Sequence, residues 1–181
     1  MSYIFYPFLV VIDLIGTVLT FPLAFILAFL KFNQDGWLNN GTAWGTGPRL
    51  FKWLSWWQTP DNSLDGDAGW QVKHSHSWWS RVQWLWRNPF YGFAVKYLHG
   101  TEGMSYSGDL YCNETKPGHL LVKGQGLWQY VLFKPMFGKM LYLNLGWNIR
   151  ALVDPAYIND PTNTAFIADY PATFAFSPRL V

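Results

Sequence analysis

An uninterrupted apolar segment at the amino terminus constrains this chain more than any other feature. Between Tyr3 and Leu30 the only charged residue is Asp13, and Lys31 ends the segment. A helix over these residues would be about 42 Å long at a rise of 1.5 Å per residue, whereas the hydrocarbon core of a bilayer is roughly 30 Å thick. The sequence therefore predicts a transmembrane helix within residues 1–31, with the lipid bilayer as its partner.

Two other kinds of segment are similarly apolar, a cleaved signal peptide and the core helix of a soluble protein. A signal peptide starts with basic residues and ends at a cleavage site of small residues. No Lys or Arg precedes this segment, and Ala28, Phe29 and Leu30 do not form such a site. A core helix of this length would need a large partner surface, which a chain of 181 residues can hardly supply. Both alternatives are weaker than a membrane anchor.

Asp13 has two settings compatible with a membrane helix. A carboxylate at the bilayer centre costs about 2.5–3.5 kcal/mol on insertion scales. Either residues 14–30 cross the hydrocarbon and Asp13 lies at the interface, or Asp13 is buried against a partner helix. Pro7 permits a break near the start of the helix and so favours the first setting. Pro22 then lies inside the span, where a membrane helix tolerates proline.

The basic residues that flank the segment predict its orientation. None precedes it, whereas Lys31, Arg49 and Lys52 follow it. Because basic flanks remain on the cytoplasmic side, we expect the bulk of the chain to lie in the cytoplasm.

Tryptophan is unusually frequent, with 12 residues in a chain that is 20% aromatic. Tryptophan accumulates at membrane interfaces, where one end of the side chain is apolar and the other is hydrated. Most of these tryptophans lie between the anchor and Asn88, at positions 37, 44, 53, 56, 57, 70, 78, 79, 84 and 86. Residues 48–58 and 77–88 each place tryptophans on one face of a helix. We predict two interfacial helices there, the alternative being helices that pack in the core of the carboxyl-terminal domain.

The pattern changes to that of strands after residue 105. Short apolar runs alternate with turn residues, and they predict strands at 106–113, 119–123, 127–134, 139–150, 165–169 and 173–176. The short connections favour antiparallel neighbours, in a sheet of about four to six strands. The predicted fold is therefore α+β, with a transmembrane anchor at 1–31, a Trp-rich loop and interfacial helices at 32–104, and a small antiparallel β domain at 105–181.

A cluster of acids lies in the turn-rich stretch 59–69. Asp61, Asp65 and Asp67 are spaced like the oxygen ligands of a calcium loop. The EF-hand pattern is absent, since no Glu closes the loop at its twelfth position. Asx turns and helix caps explain the same residues without a metal. These three aspartates are the predicted metal ligands, and the structural explanation competes with that prediction.

A second candidate metal site is the pair His74 and His76. On a strand the two side chains would face the same side, where zinc would need a third ligand from His99, His119 or Cys112. The polar turn around the pair explains both histidines equally well. The low net charge of +2 and the 13% charged fraction exclude a dedicated nucleic-acid binder. The chain has no Gly-x-Ser-x-Gly or His-Glu-x-x-His motif, so we expect no enzyme and no cofactor.

Four short blocks carry a resemblance that covers most of residues 59–179. They are TPDNSLDGD at 59–67, WRNPFYGF at 86–93, GWNIR at 146–150 and FSPR at 176–179. In these blocks the chain resembles small membrane-anchored proteins encoded by tailed bacteriophages and prophages, to which no activity is assigned. The resemblance implies a phage origin and the inner membrane of a bacterial host, and it supplies no catalytic residue.

These observations together predict a membrane-anchored phage protein that acts as a non-enzymatic interaction module, with a protein partner. Two other functions stay open. One is a membrane-tethered metal-dependent enzyme that uses the aspartates or the histidine pair. The other is a structural component of the virion, in which the apolar segment packs within a protein shell.

Overall fold

A computed structural model of the chain describes residues 2–33 and 47–181. The α+β prediction is confirmed, with an apolar amino-terminal helix and an antiparallel sheet in the carboxyl-terminal half. The chain forms two compact units, unit 1 from Met1–Tyr6 with Lys96–Val181 and unit 2 from Pro7–Val95. Part of the segment predicted at 32–104 as a Trp-rich loop and interfacial helices, with the tryptophans at 37 and 44, lies outside the described residues. The three-part division predicted from the sequence stays a prediction.

Helix α1 extends over Ser2–Leu27 without interruption, although Pro7 and Pro22 lie inside it. The break that Pro7 permits does not form, and a proline there removes one backbone hydrogen bond, the one to the carbonyl of Tyr3, within an otherwise continuous helix. Among the described residues, Tyr3–Leu27 is the one stretch of helix that is long and apolar enough to cross a membrane, with a mean hydropathy of 2.3.

Unit 2 continues from α1 into a short antiparallel strand pair and three helical segments. Strand β1 (Lys31–Asn33) pairs with β2 (Pro48–Leu50), and a 3-10 helix follows at Lys52–Trp57. The single helix predicted at 48–58 is therefore wrong in its first part. The reason is long-range, because the backbone N–H of Leu50 donates to the Gln58 side chain at 2.7 Å and Pro48 accepts from the backbone of Leu64 at 2.8 Å.

Two α-helices complete unit 2, α2 (Ala68–Lys73) and α3 (Trp78–Arg87). The helix predicted at residues 77–88 is confirmed as a helix, and the Ser77 hydroxyl caps α3 by accepting from the backbone N–H of Ser80; its interfacial position stays a prediction. An apolar core joins α1, β2 and α3, and its buried residues are Ala24, Leu27, Ala28, Leu50, Leu54, Leu64, Val82 and Leu85. The Trp-rich helix α3 thus packs in a core along one face.

Unit 1 contains a five-stranded antiparallel sheet, which agrees with the predicted strand number and orientation. The strands lie in the order β4 (Ser105–Gly108), β5 (Gly118–Gly124), β6 (Leu127–Met136), β7 (Lys139–Trp147) and β9 (Phe174–Leu180). A separate antiparallel pair joins β3 (Lys96–Leu98) to β8 (Tyr170–Ala172).

Tight hairpins set the register of the three central strands. The turn between β6 and β7 places Phe137 and Gly138 at φ of +53° and +74°, and the turn between β5 and β6 has the same conformation at Gln125 and Gly126. Two consecutive residues with positive φ match the right-handed twist of the flanking strands. The first residue of each turn is not a glycine, so the turns accept some backbone strain.

Several predicted strands in unit 1 have other bounds. The strand predicted at 165–169 is wrong, because Thr164–Ala168 forms helix α5 directly after a 3-10 turn at Pro161–Asn163 that Asp160 caps. The strand predicted at 106–113 ends at Gly108, because the Asp109 carboxylate accepts from the backbone of Tyr111 and turns the chain. A 3-10 helix at Arg150–Val153 and helix α4 at Pro155–Ile158 complete the unit.

Candidate membrane-binding surface

Helix α1 carries a continuous face of large apolar side chains that the rest of its own unit does not cover. Only 17% of the apolar window within Tyr3–Leu27 is buried, so α1 is not an enclosed core helix of this chain. Exposed large side chains occur along its whole length, at Tyr3, Ile4, Phe5, Phe8, Val11, Ile12, Leu14, Ile15, Val18, Leu19, Phe21, Phe25 and Ile26. We call these thirteen residues the apolar face. A soluble monomer seldom exposes a contiguous apolar patch of more than a few hundred Å².

The opposite side of α1 consists of small residues that allow close packing in unit 2. Gly16, Thr20, Ala24 and Ala28 recur at every fourth position and are buried, which places them on one side of a helix of 3.6 residues per turn. A Cβ atom at Gly16 would lie 2.3 Å from the ring of Phe90, so only glycine fits there. Thr20 loses no hydrogen bond by burial, because its hydroxyl donates to the carbonyl of Gly16 at 2.8 Å.

Two tryptophans of α3 donate hydrogen bonds to the backbone of α1. The indole N–H of Trp78 lies 3.1 Å from the carbonyl oxygen of Phe25, and that of Trp86 lies 3.0 Å from the carbonyl oxygen of Phe21. The first of these bonds caps the helix, because the backbone N–H of Phe29 turns to the carbonyl of Ile26 instead. Both tryptophans thus satisfy their polar atoms within the protein.

The carboxyl-terminal end of α1 is surrounded by aromatic rings of unit 2. The rings of Phe29 and Trp78 stack at 5.0 Å, and Phe25 meets the edge of Trp86 at 5.4 Å. Trp79 packs 5.4 Å from Trp86 and keeps 45% of its surface exposed. A half-exposed indole beside an apolar helix end is typical of the aromatic belt at a membrane interface.

The first turns of α1 belong to unit 1 and pack on its sheet. The Tyr6 hydroxyl donates to the carbonyl of Ala175 at 2.7 Å and accepts from the backbone N–H of Gly146 at 3.1 Å. Its ring lies 4.9 Å from that of Trp128, which also stacks on Tyr3 at 5.0 Å. Sequence reasoning missed these contacts, because nothing in a uniformly apolar segment distinguishes one tyrosine as a partner of a strand more than 100 residues away.

Asp13 is half-buried and lies on the covered side of α1. It precedes Gly16 by three residues and Thr20 by seven, the spacing of residues that share one side of a helix. Its carboxylate therefore points away from the apolar face, and the charge does not interrupt that face.

The three predicted metal ligands have individual structural partners. Asp65 is buried, and its carboxylate accepts from the Arg81 guanidinium at 2.6 Å and lies 3.1 Å from the ring of His76. Asp67 caps α2 by accepting from the backbone N–H of Trp70 at 2.7 Å. Burial raises the pKa of Asp61, whose carboxylate is hydrogen-bonded to the side chain of Asn62.

Within residues 2–33 and 47–181, no group of three or more His, Cys, Asp or Glu side chains is placed to hold a metal ion. The metal prediction for the three aspartates stays a prediction without added support. The histidine pair is also separated, since the ring of His74 stacks on Trp70 at 3.6 Å while His76 faces Asp65.

Unit 1 contains a polar cavity of about 290 Å³ that sequence reasoning did not predict. Its floor is a chain of amides in which Gln129 donates to Asn144 at 2.8 Å and Asn144 donates to Asn148 at 2.7 Å. The Gln129 carbonyl in turn accepts from the backbone of Ile149 and Arg150. Because these amides bond to one another and to the backbone, they hold the turn after β7 and satisfy the buried polar atoms.

The Arg150 guanidinium at the edge of this cavity is held by two backbone carbonyls, those of Leu110 and Cys112. Arg179 lies over the ring of Tyr142 at 4.8 Å. Both arginines therefore have protein partners, and the cavity is a structural feature of the sheet. The apolar face of α1 is the larger surface that still needs a partner.

Comparison with known proteins gives one match. The model of a family described as "Family of unknown function (DUF7338)" matches residues 1–178. No curated protein and no solved structure matches the chain.

Proposed function

Since the chain belongs to DUF7338, a family of unknown function, we propose its role from its own surfaces: it is a membrane-anchored protein, and α1 is the anchor. The observation that carries the proposal is the apolar face, which extends from Tyr3 to Ile26 and is left uncovered within each unit. Burial of apolar surface contributes roughly 25 cal/mol per Å². Thirteen large side chains therefore supply enough free energy for stable attachment to lipid.

The anchored chain acts as a non-enzymatic interaction module at the inner membrane of a bacterial host, with its bulk in the cytoplasm. Three features support this part of the proposal. Basic residues follow α1, the amides on the floor of the polar cavity in unit 1 bond to one another, and the sequence blocks resemble phage and prophage proteins. The partner is a host or phage protein at that membrane.

Membrane attachment is tested by expressing the full chain in a bacterium and fractionating the cells. We expect the chain to sediment with membranes and to resist extraction by high salt and by carbonate. Recovery in the soluble fraction as a folded, dispersed protein would contradict the proposal.

A matched pair of variants shows whether the apolar face is responsible. Val18 and Val72 are both exposed valines in helices of unit 2, at 67% and 86% of their surfaces. We expect Val18→Asp to lower the fraction bound to vesicles by about tenfold or more, since a carboxylate in lipid costs roughly 2.5–3.5 kcal/mol at the bilayer centre and less near the surface. Val72→Asp is expected to leave binding unchanged. Equal effects of the two variants would remove α1 from its proposed role.

A further inference from the structure

We infer that α1 lies parallel to the membrane surface and inserts its apolar face from one side, instead of crossing the bilayer. The inference rests on the proposed function and specifies how the anchor engages lipid. It also departs from the single span that length and hydropathy predict. The side of α1 that protein covers decides between the two arrangements, and that side is found separately within each unit.

In unit 2, the stretch of α1 from Gly16 to Leu27 is flanked by α3 and by Phe90, which follows α3 in the chain. Phe90 covers Gly16, and the indoles of Trp86 and Trp78 reach the carbonyls of successive turns of α1. Carrying this stretch across a bilayer would also carry α3 into the hydrocarbon, where its charges would be costly.

Two arginines of α3 account for this cost. Helix α3 contains Arg81, which is buried with Asp65, and it ends at Arg87, which is exposed. Without the stretch that α3 and Phe90 cover, only residues 3–15 remain to cross lipid. They extend over about 20 Å as a helix, which is less than the roughly 30 Å of the hydrocarbon core.

In unit 1, the opening turns of α1 are covered on one side as well. Tyr6 is bonded to the backbone of two strands, and Tyr3 stacks one face of its ring on Trp128 while 53% of its surface stays exposed. In a lone span these residues would be surrounded by lipid or headgroups. Here the sheet occupies their inner side.

Within unit 2, what remains free is one side of α1. Phe8, Val11, Ile15 and Val18 succeed one another at spacings of three or four residues, and each is exposed, so they form a single stripe. Because the other side is held by protein, only this stripe is free to enter lipid, and a helix that buries one side lies in the plane of the interface. The half-exposed Trp79 and the exposed Lys31 fit the headgroup level at the end of α1.

The two arrangements differ in the sidedness of the chain, which is measured with an impermeant maleimide. The full chain is expressed in a Cys112→Ala background, because the native thiol is the only cysteine and is buried. Single cysteines are introduced as Ser2→Cys before the anchor, Val72→Cys in unit 2 and Phe137→Cys in unit 1. The last two positions are 86% and 87% exposed. Labelling is compared in intact spheroplasts and in inverted membrane vesicles.

We expect all three cysteines to be labelled in inverted vesicles and to be protected in spheroplasts, because all lie on one side of an in-plane anchor. Labelling of Ser2→Cys from the side opposite to the other two would overturn the inference and leave the membrane-anchored function intact. If the chain did not sediment with membranes at all, the proposed function itself would be overturned. A soluble dimer with paired apolar faces would give that result.

Discussion

Replacing Asp65 by alanine tests whether this aspartate is structural or a metal ligand. Asp65 and Arg81 are 9% and 8% exposed and 2.6 Å apart. Removal of one partner of a buried ion pair costs about 3–5 kcal/mol, because the other charge is left uncompensated. Arg81 keeps a second bond to the carbonyl of His76 at 3.0 Å, so we expect Asp65→Ala to lower the free energy of unfolding by a value near the low end, about 3 kcal/mol.

A double-mutant cycle with Arg81→Met isolates the pair. Methionine keeps most of the length of the arginine side chain without its charge, so the double variant is expected to recover about 2 kcal/mol relative to the sum of the single changes. The assay is urea unfolding of the full chain in a mild nonionic detergent, followed by tryptophan fluorescence. Asp154→Ala is the matched control, because Asp154 caps α4 and loss of a helix cap costs typically about 1 kcal/mol.

Two results would refute the reasoning. A loss of less than about 1 kcal/mol for Asp65→Ala would show that the pair does not carry the buried-charge penalty. A rise in the urea midpoint of unfolding of the wild-type chain on addition of millimolar calcium would support a metal site at the aspartates. We expect no such rise, because Arg81 and His76 occupy both carboxylate oxygens of Asp65.

Three further predictions concern packing, backbone strain and charge. Gly16→Val is expected to destabilise the chain by about 1–3 kcal/mol, since the new side chain overlaps the ring of buried Phe90; an unchanged urea midpoint would contradict the close packing. Phe137→Asn is expected to stabilise it by roughly 1 kcal/mol, because asparagine tolerates the left-handed conformation at this exposed turn, and a lower melting temperature would contradict this. Lys116 holds the pKa of Asp109 below its ordinary value by donating a hydrogen bond to its carboxylate. In Lys116→Ala we expect an NMR titration to show a higher pKa for Asp109. On acidification, the stability that the ionised Asp109 contributes is then lost at a higher pH than in the unchanged chain.

The elements predicted well from the sequence are those that local patterns determine. Helix α1 follows from its unbroken hydropathy, and α3 follows from the Ser77 cap and its tryptophan spacing. The hairpins around β6 follow from short connections that contain glycine. In each case the residues that specify the element lie within it or beside it.

The features that could not be predicted depend on partners distant in sequence. Arg81 is sixteen residues from Asp65 in sequence, so the sequence alone does not reveal their ion pair and leaves a metal site open at the aspartates. The sequence pattern predicts helix at β2, because the partner of this strand, β1, lies more than ten residues earlier in the chain. The amide chain from Gln129 to Asn148 likewise needs the register of the sheet, which single residues do not reveal.

The sequence predicts that the chain binds a membrane, but it does not predict how α1 is oriented in that membrane. Hydropathy marks the whole of α1 as apolar and does not separate its two sides. The small residues Gly16, Thr20 and Ala24 do separate them, because they recur at every fourth position and admit neighbouring side chains. That spacing is a signal that sequence reasoning did not use.

Lipid contact of the apolar face is measured most directly with nitroxide labels at Ile15, Val18 and Leu19 in vesicle-bound protein, and with a label at the exposed Val72 as the matched control. Each position in turn carries a spin label on the full chain, and its contact with oxygen and with a water-soluble nickel complex is compared. We predict that labels at Ile15, Val18 and Leu19 contact oxygen and exclude nickel, whereas the label at Val72 contacts nickel. Free access of nickel to Ile15, Val18 and Leu19 would contradict the account, because those side chains would then face water.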